Sequence, residues 1–175
     1  PRTSTSASAF QANSLVTYGA VGILLASMFV PMSLFRLIDA DEGTYLLVSK
    51  LVMDGKLPYH DFFYPQMPLL PYVYGLWMTV FGPSWYAARL LSSFFAITLG
   101  LLLYHHVIRQ THERALGLLA IVLFTFSGLV LEWYSVVKPY AFSTLMLFSA
   151  YAVLFSRFAR WKYFFSGLLL GLAVD

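Results

Sequence analysis

The chain has 175 residues, 59% of them hydrophobic and 11% charged, with a mean hydropathy of +0.72. A soluble domain carries about 25% charged residues, so there is too little polar surface here to cover a water-soluble globule; the long, unbroken apolar runs predict an all-α integral membrane protein rather than a β-barrel. The net charge of +3 gathers into no basic stripe, which argues against a nucleic-acid partner, and the lack of cysteine excludes disulfides and thiolate metal sites.

In chain order, residues 1–13 form a Ser-rich lead with a single basic residue, Arg2. Residues 14–38 read as a first membrane span, too long for the apolar core of a signal peptide. Residues 39–83 form a loop that carries Asp39, Asp41, Glu42, Asp54 and Asp61, five of the eight acidic residues. Within it, Tyr45, Val48, Leu51 and Val52 recur at helical spacing and Gly55 suits a helix C′ position, so an amphipathic helix along the membrane surface is expected after Asp41. A shorter apolar segment, 67–81, is opened by Pro68 and Pro71 and reads as a partly inserted helix packed on the bundle. Further spans are expected over 84–108, 115–131 and 137–158, with a fifth beginning at 163. That last run holds about 12 apolar residues, or roughly 18 Å of helix against a hydrocarbon core of about 30 Å, which predicts a longer parent with more helices downstream.

Lys and Arg set the orientation. Arg109 and Arg114 follow the second span; Arg157, Arg160 and Lys162 follow the fourth. Under the positive-inside rule these turns and the N-terminus are cytoplasmic, and the acidic loop and the Glu132–Lys138 turn face outward. The expected location is the inner (plasma) membrane, crossed several times. His105 and His106 point to different helix faces and form no ligand pair, and Gly167 and Gly171 have a G-x-x-x-G spacing that permits close helix packing.

Carboxylates beside lipid are costly and mark functional positions. Asp41 falls at a helix N-cap with Glu42 in the first turn, so both fit capping and dipole roles as well as chemistry. A carboxylate fixed there can take the proton of a hydroxyl attacking an anomeric carbon, and a lipid-phosphate leaving group needs cations rather than a strong acid. Asp39 and Asp41 spell D-x-D, an oxygen pair of the kind that holds a divalent cation; such a cation is the one candidate cofactor, with no residue assigned to it as a ligand. Tyr59, His60, Asp61, Tyr64 and Gln66 mix aromatic and polar groups as a sugar or lipid-phosphate pocket would, although an interfacial aromatic belt also explains the tyrosines. Arg89, five residues into the second span, and Lys138, beside Pro139, add two cations on the outer side. Each suits snorkelling or anchoring, or else a contact with a lipid phosphate or a loop carboxylate.

Asp41-Glu42, Gly55 to Tyr59, Pro65 to Pro68, Phe81-Gly82, Ala87 to Leu90 and Lys138-Pro139-Tyr140 occur here in one order. That series resembles the N-terminal part of bacterial GT-C glycosyltransferases, and is most similar to the protein O-mannosyltransferase and aminoarabinose-transferase group. The resemblance covers about 34–155 and is densest over 41–92. It implies a GT-C-like multi-helix bundle that moves a sugar from a polyprenyl-phosphate donor to a protein or lipid acceptor at the external face. Asp41 would be the general base and Glu42 its support, with Asp39, Tyr59, His60, Asp61, Tyr64, Gln66, Arg89 and Lys138 around the substrates. One departure stands out: many relatives carry Lys or His where this chain has Gln66-Met67-Pro68, so Arg89 or Lys138 would have to supply that charge. A secondary transporter or flippase using the loop acids for protons or cations is the alternative, although such sites usually lie at the bilayer midplane. A scaffold without catalysis is a third reading.

Overall fold

The computed structural model describes residues 3–66, 68–156 and 160–174, with side chains from Leu15 onward; Met67 and Arg157, which figure in the sequence reading, and Phe158, the expected end of the fourth span, lie outside the described residues. Eight helices are described: α1 (Thr3–Phe35), α2 (Glu42–Met53), α3 (Leu69–Phe81), α4 (Trp85–Thr111), α5 (Arg114–Thr125), α6 (Gly128–Trp133), α7 (Pro139–Leu154) and α8 (Lys162–Ala173). The all-helical expectation holds among the described residues.

Two stretches, Leu15–Phe35 and Trp85–Thr111, are long and apolar enough to cross a membrane. Only 17% of the first one's most apolar window is buried, so it presents greasy side chains outward. The other expected spans appear as shorter apolar helices. Residues 115–131 do not form one rod: helix stops at Thr125 and restarts at Gly128, across Phe126 and Ser127. Thr, Phe, Ser and Gly in a row are poor helix formers, and the backbone turns extended at Ser127. The fourth span begins at Pro139 rather than residue 137 and runs 16 residues, about 24 Å. Pro139 occupies the first helical position, where a missing N–H costs nothing.

The two long helices, α1 and α4, pack side by side, and α7 lies along α4 with α8 against α7. One core joins Tyr74, Leu91, Phe95, Leu99, Val137 and Phe142 between α3, α4 and the start of α7. A second joins Val21, Leu25 and Phe29 of α1 to Ala96, Tyr104 and Ile121. Ser166 of α8 donates to the Ala150 carbonyl at 3.0 Å, while a Cβ on Gly167 or Gly171 would meet nothing within 4 Å. Among the described residues, neither glycine is therefore a point of close helix approach.

The loop is more ordered than a surface lip. The apolar face of α2 packs on α3: Tyr45, Val48 and Ser49 are buried, and a Cβ at Gly75 of α3 would stand 3.0 Å from the Ser49 carbonyl. Gly55, at φ +80°, ends α2 as expected. Its N–H reaches the Val52 carbonyl and the Lys56 N–H reaches Leu51, a Schellman close that only a left-handed residue allows cheaply. α3 is tied down by Tyr74, whose hydroxyl meets Ser92 at 2.7 Å, and by Trp77, whose indole donates to the Ala87 carbonyl at 2.8 Å.

Candidate functional site

The link from α1 to α2, residues 36–41, is held from below by one buried ion pair. Arg89 of α4 is 2% exposed and Glu42 is 0% exposed. Arg89 Nε donates to Glu42 Oε1 at 2.9 Å and Nη2 to Oε2 at 2.5 Å, a bidentate fork. The remaining guanidinium donors close the end of α1: Nη1 reaches the carbonyls of Ser33 and Arg36, and Nη2 that of Leu37. All five N–H groups of the side chain are thereby spent. Glu42 is equally saturated. The Val137 N–H donates to Oε1 at 2.8 Å and the Asp39 N–H to Oε2 at 3.0 Å. Burial pushes the Glu42 carboxyl up, but the bonds from Arg89, Val137 and Asp39 outweigh it and hold the group below its usual range.

Two expectations change here. Arg89 has no donor left for a phosphate, so that role is corrected: it is the anchor of the loop, and neither snorkels nor faces a ligand. Glu42 supports Asp41 by fixing the backbone on both sides of it, and its buried carboxylate has no open face for chemistry.

Above this anchor sits an ammonium between two carboxylates. Lys138 Nζ lies 2.8 Å from Asp39 Oδ1 and 3.0 Å from Asp41 Oδ2, and 4.2 Å from the centre of the Trp133 ring. Asp39 Oδ1 also accepts the Asp41 N–H at 3.1 Å. The D-x-D pair thus converges on a cation supplied by the chain itself. The Lys138 bond is the main cause holding Asp39 below its usual range; for Lys138, burial pulls the ammonium down, but the two carboxylates win and raise it. Arg36 pairs with Glu132 at 3.1 Å and also faces Trp133. The acidic loop and the turn before α7 therefore meet at one end of the bundle, as the charge pattern predicted.

Asp41 stands at the N-cap of α2, as its position suggested, yet its side chain makes no capping bond. It is 68% exposed and contacts Lys138 through Oδ2. Beside it opens a cleft of about 240 Å³ lined by Asp41, Thr44, Tyr45, Tyr64, Pro65 and Gln66. Gln66 Nε2 donates to the Tyr45 hydroxyl at 2.9 Å, and the Tyr59 hydroxyl donates to the Gln66 carbonyl. Tyr59 flanks Tyr64 with ring centres 6.5 Å apart.

Asp41, Tyr64 and Gln66 are thus brought together, and Tyr59 braces them. His60 and Asp61 do not line the cleft. Asp61 accepts the Leu57 N–H at 2.7 Å and the His60 ring at 2.7 Å, which closes the turn that carries Tyr59 at φ +66°. The Leu57 N–H, followed by His60, holds the Asp61 carboxyl low. Thr44 and Tyr45 were missed as lining residues. Tyr45 reads as an apolar position of an amphipathic helix; it is indeed buried, yet it lines the cleft and its hydroxyl accepts from Gln66, and the one available signal was a tyrosine where a phenylalanine would fill the core as well. Among the described residues, no group of three or more His, Asp or Glu is arranged to hold a metal ion. Comparison with protein-family models, with curated proteins and with solved structures finds no match to this chain.

Proposed function

We propose that this chain carries the catalytic base of a multi-pass membrane glycosyltransferase, with a polyprenyl-phosphate sugar as donor and a protein or lipid hydroxyl or phosphate as acceptor. The observation that carries the reading is Asp41. It is an exposed carboxylate held by Lys138 at the lip of a polar–aromatic cleft, in the link that follows a helix long and apolar enough to cross a bilayer. The resemblance of the loop to GT-C enzymes supplies the reaction class.

For a hydroxyl acceptor, its oxygen forms a bond to the anomeric carbon as the bond from that carbon to the phosphate oxygen breaks. The phosphate leaves with the electron pair, and the acceptor proton passes to Asp41. Glu42 and Arg89 keep the loop backbone in register, and Lys138 holds one oxygen of the exposed Asp41 carboxylate. The donor phosphate has to be met by groups other than Arg89. In this reading the short helices α5 to α8 continue the bundle across the bilayer, and the loop faces outward.

The test compares the full-length protein with its Asp41→Asn variant in membranes, given a radiolabelled sugar on polyprenyl phosphate. Loss of transfer by about 10²-fold or more at equal expression is expected, the scale of a missing general base. Turnover within about threefold of wild type removes Asp41 from that role. Substrate uptake into proteoliposomes without any sugar transfer would favour a transporter instead.

A further inference from the structure

We propose that the turn 55–63, between α2 and α3, is a lipid anchor: Leu57, Tyr59 and Phe63 enter the lipid–water interface of the bilayer, and the rest of the turn stays among the headgroups. Such an anchor needs a membrane but no sugar chemistry, and so stands apart from the catalytic reading above.

The backbone of this turn asks nothing of water. From Gly55 to Asp61 every N–H has an acceptor inside the chain. Gly55 and Lys56 donate to the Val52 and Leu51 carbonyls, and Leu57 to Asp61 Oδ2 at 2.7 Å. Tyr59 donates to the Phe62 carbonyl at 2.9 Å, and His60 and Asp61 to the Leu57 carbonyl at 3.3 and 2.9 Å; Pro58 has no N–H to satisfy. An unpaired amide is costly away from water, and none of these has to be uncovered there. Asp61, the acid of the turn, has both oxygens engaged, one by Leu57 and the other by the His60 ring.

What the closed turn displays is apolar. Phe63 is 86% exposed, and Leu57 and Tyr59 are each more than half exposed. Tyr64, by contrast, is buried and takes no part. Lys56 and His60 stand exposed beside these tips. Apolar tips flanked by a lysine, with a tyrosine among them, suit a lipid–water boundary, where rings go in and charged ends stay out.

The turn also runs on into a second greasy surface. It leads to α3, which bares Tyr72, Leu76 and Val80 along one side, at i, i+4 and i+8. The other sides of α3 are taken up by α2, at Gly75, and by α4, met by Tyr74 and Trp77. The segment that holds α2, the turn and α3 joins Leu15–Phe35 at one end and Trp85–Thr111 at the other, both long and apolar enough to cross a bilayer. A bilayer is therefore the partner to which this surface is tethered. Tyr59 carries the consequence to the cleft. Its hydroxyl donates to the Gln66 carbonyl and its ring centre lies 6.5 Å from that of Tyr64, so a seated turn fixes the cleft wall relative to the lipid.

The experiment places one nitroxide label at a time in the full-length protein, in liposomes of phosphatidylethanolamine and phosphatidylglycerol. The chain contains no cysteine, so Phe63→Cys, Leu76→Cys and Lys50→Cys each give one label site in it, any cysteine elsewhere in the protein being replaced. Lys50, exposed on α2, is the water-side reference. Collisions with oxygen, which concentrates in lipid, are compared with collisions with a water-soluble nickel chelate. The labels at 63 and 76 are expected to favour oxygen, at a depth of about 5–10 Å into the interface, and the label at 50 to favour nickel. Adding Phe63→Asp to a Leu57→Cys label should shift that label from oxygen toward nickel, because a carboxylate is costly in lipid. Phe63 and Leu57 are exposed, so these substitutions leave the core intact. The proposal is overturned if the label at 63 or 76 favours nickel, if either is shielded from both reagents as a protein partner would shield it, if the label at 50 lies as deep as that at 63, or if Phe63→Asp leaves the label at 57 unmoved.

Discussion

Removing the Arg89 side chain tests whether the acidic loop is held from below. In Arg89→Met, Glu42 would remain 0% exposed with only the Val137 and Asp39 N–H groups to meet its charge. Three carbonyls at the end of α1, those of Ser33, Arg36 and Leu37, would lose their donor as well. Breaking a buried pair by deleting one partner costs about 3–5 kcal/mol. At about 2–4 °C per kcal/mol for a chain of this size, the melting temperature should fall by roughly 6–20 °C. Glu42→Gln should destabilise as well, because an amide nitrogen at either oxygen position would face two N–H donors, one from Arg89 and one from Val137 or Asp39, and the buried guanidinium would lose its counter-charge. In the double variant the losses should not add; a coupling of about 1–3 kcal/mol is expected for residues in direct contact. The assay is thermal denaturation of the four proteins in one detergent, followed by tryptophan fluorescence. A fall of less than about 2 °C in Arg89→Met, or strictly additive effects, would refute the anchoring argument.

The same groups predict a pH profile. Glu42 and Asp39 have folded values below their ordinary 4.5 and 3.8, so their contribution is present above those values and is lost as pH falls through the lower folded ones. Lys138 is raised above 10.5, so its contribution is complete below that value and fades as pH rises through the folded one. Stability should therefore hold from about pH 5 to about pH 10, with an acid limb that Glu42→Gln flattens; an unchanged limb in that variant counts against the assignment. Close packing of α2 on α3 is tested by two matched substitutions. Gly75→Ala and Gly171→Ala each gain about 1 kcal/mol of helix propensity, but only the first drives a Cβ to 3.0 Å from the Ser49 carbonyl. Gly75→Ala should melt below Gly171→Ala by the equivalent of about 1–3 kcal/mol, and equal melting would contradict the close approach.

The sequence by itself determined the class and the neighbourhood. Its apolar runs form helices, two of them long and apolar enough to cross a membrane among the described residues, its glycines and prolines punctuate α2, α3 and α7, and its charges sort the acidic loop and the Lys138 turn to one end. Local chemistry suffices for these, because helix signals and apolar runs act over short stretches of chain. Span lengths were less legible: the break at Phe126 and Ser127 lies inside an apolar run, where hydropathy is blind to backbone geometry. The roles within the charge cluster were settled only by the tertiary structure. Arg89, Glu42 and Lys138 are far apart in sequence, and each could have faced lipid, ligand or one another. Once α4 and the α6–α7 turn pack against the end of α1, an unpaired buried charge costs so much that the pairing Arg89–Glu42 follows, and with it the freedom of Asp41 to face water.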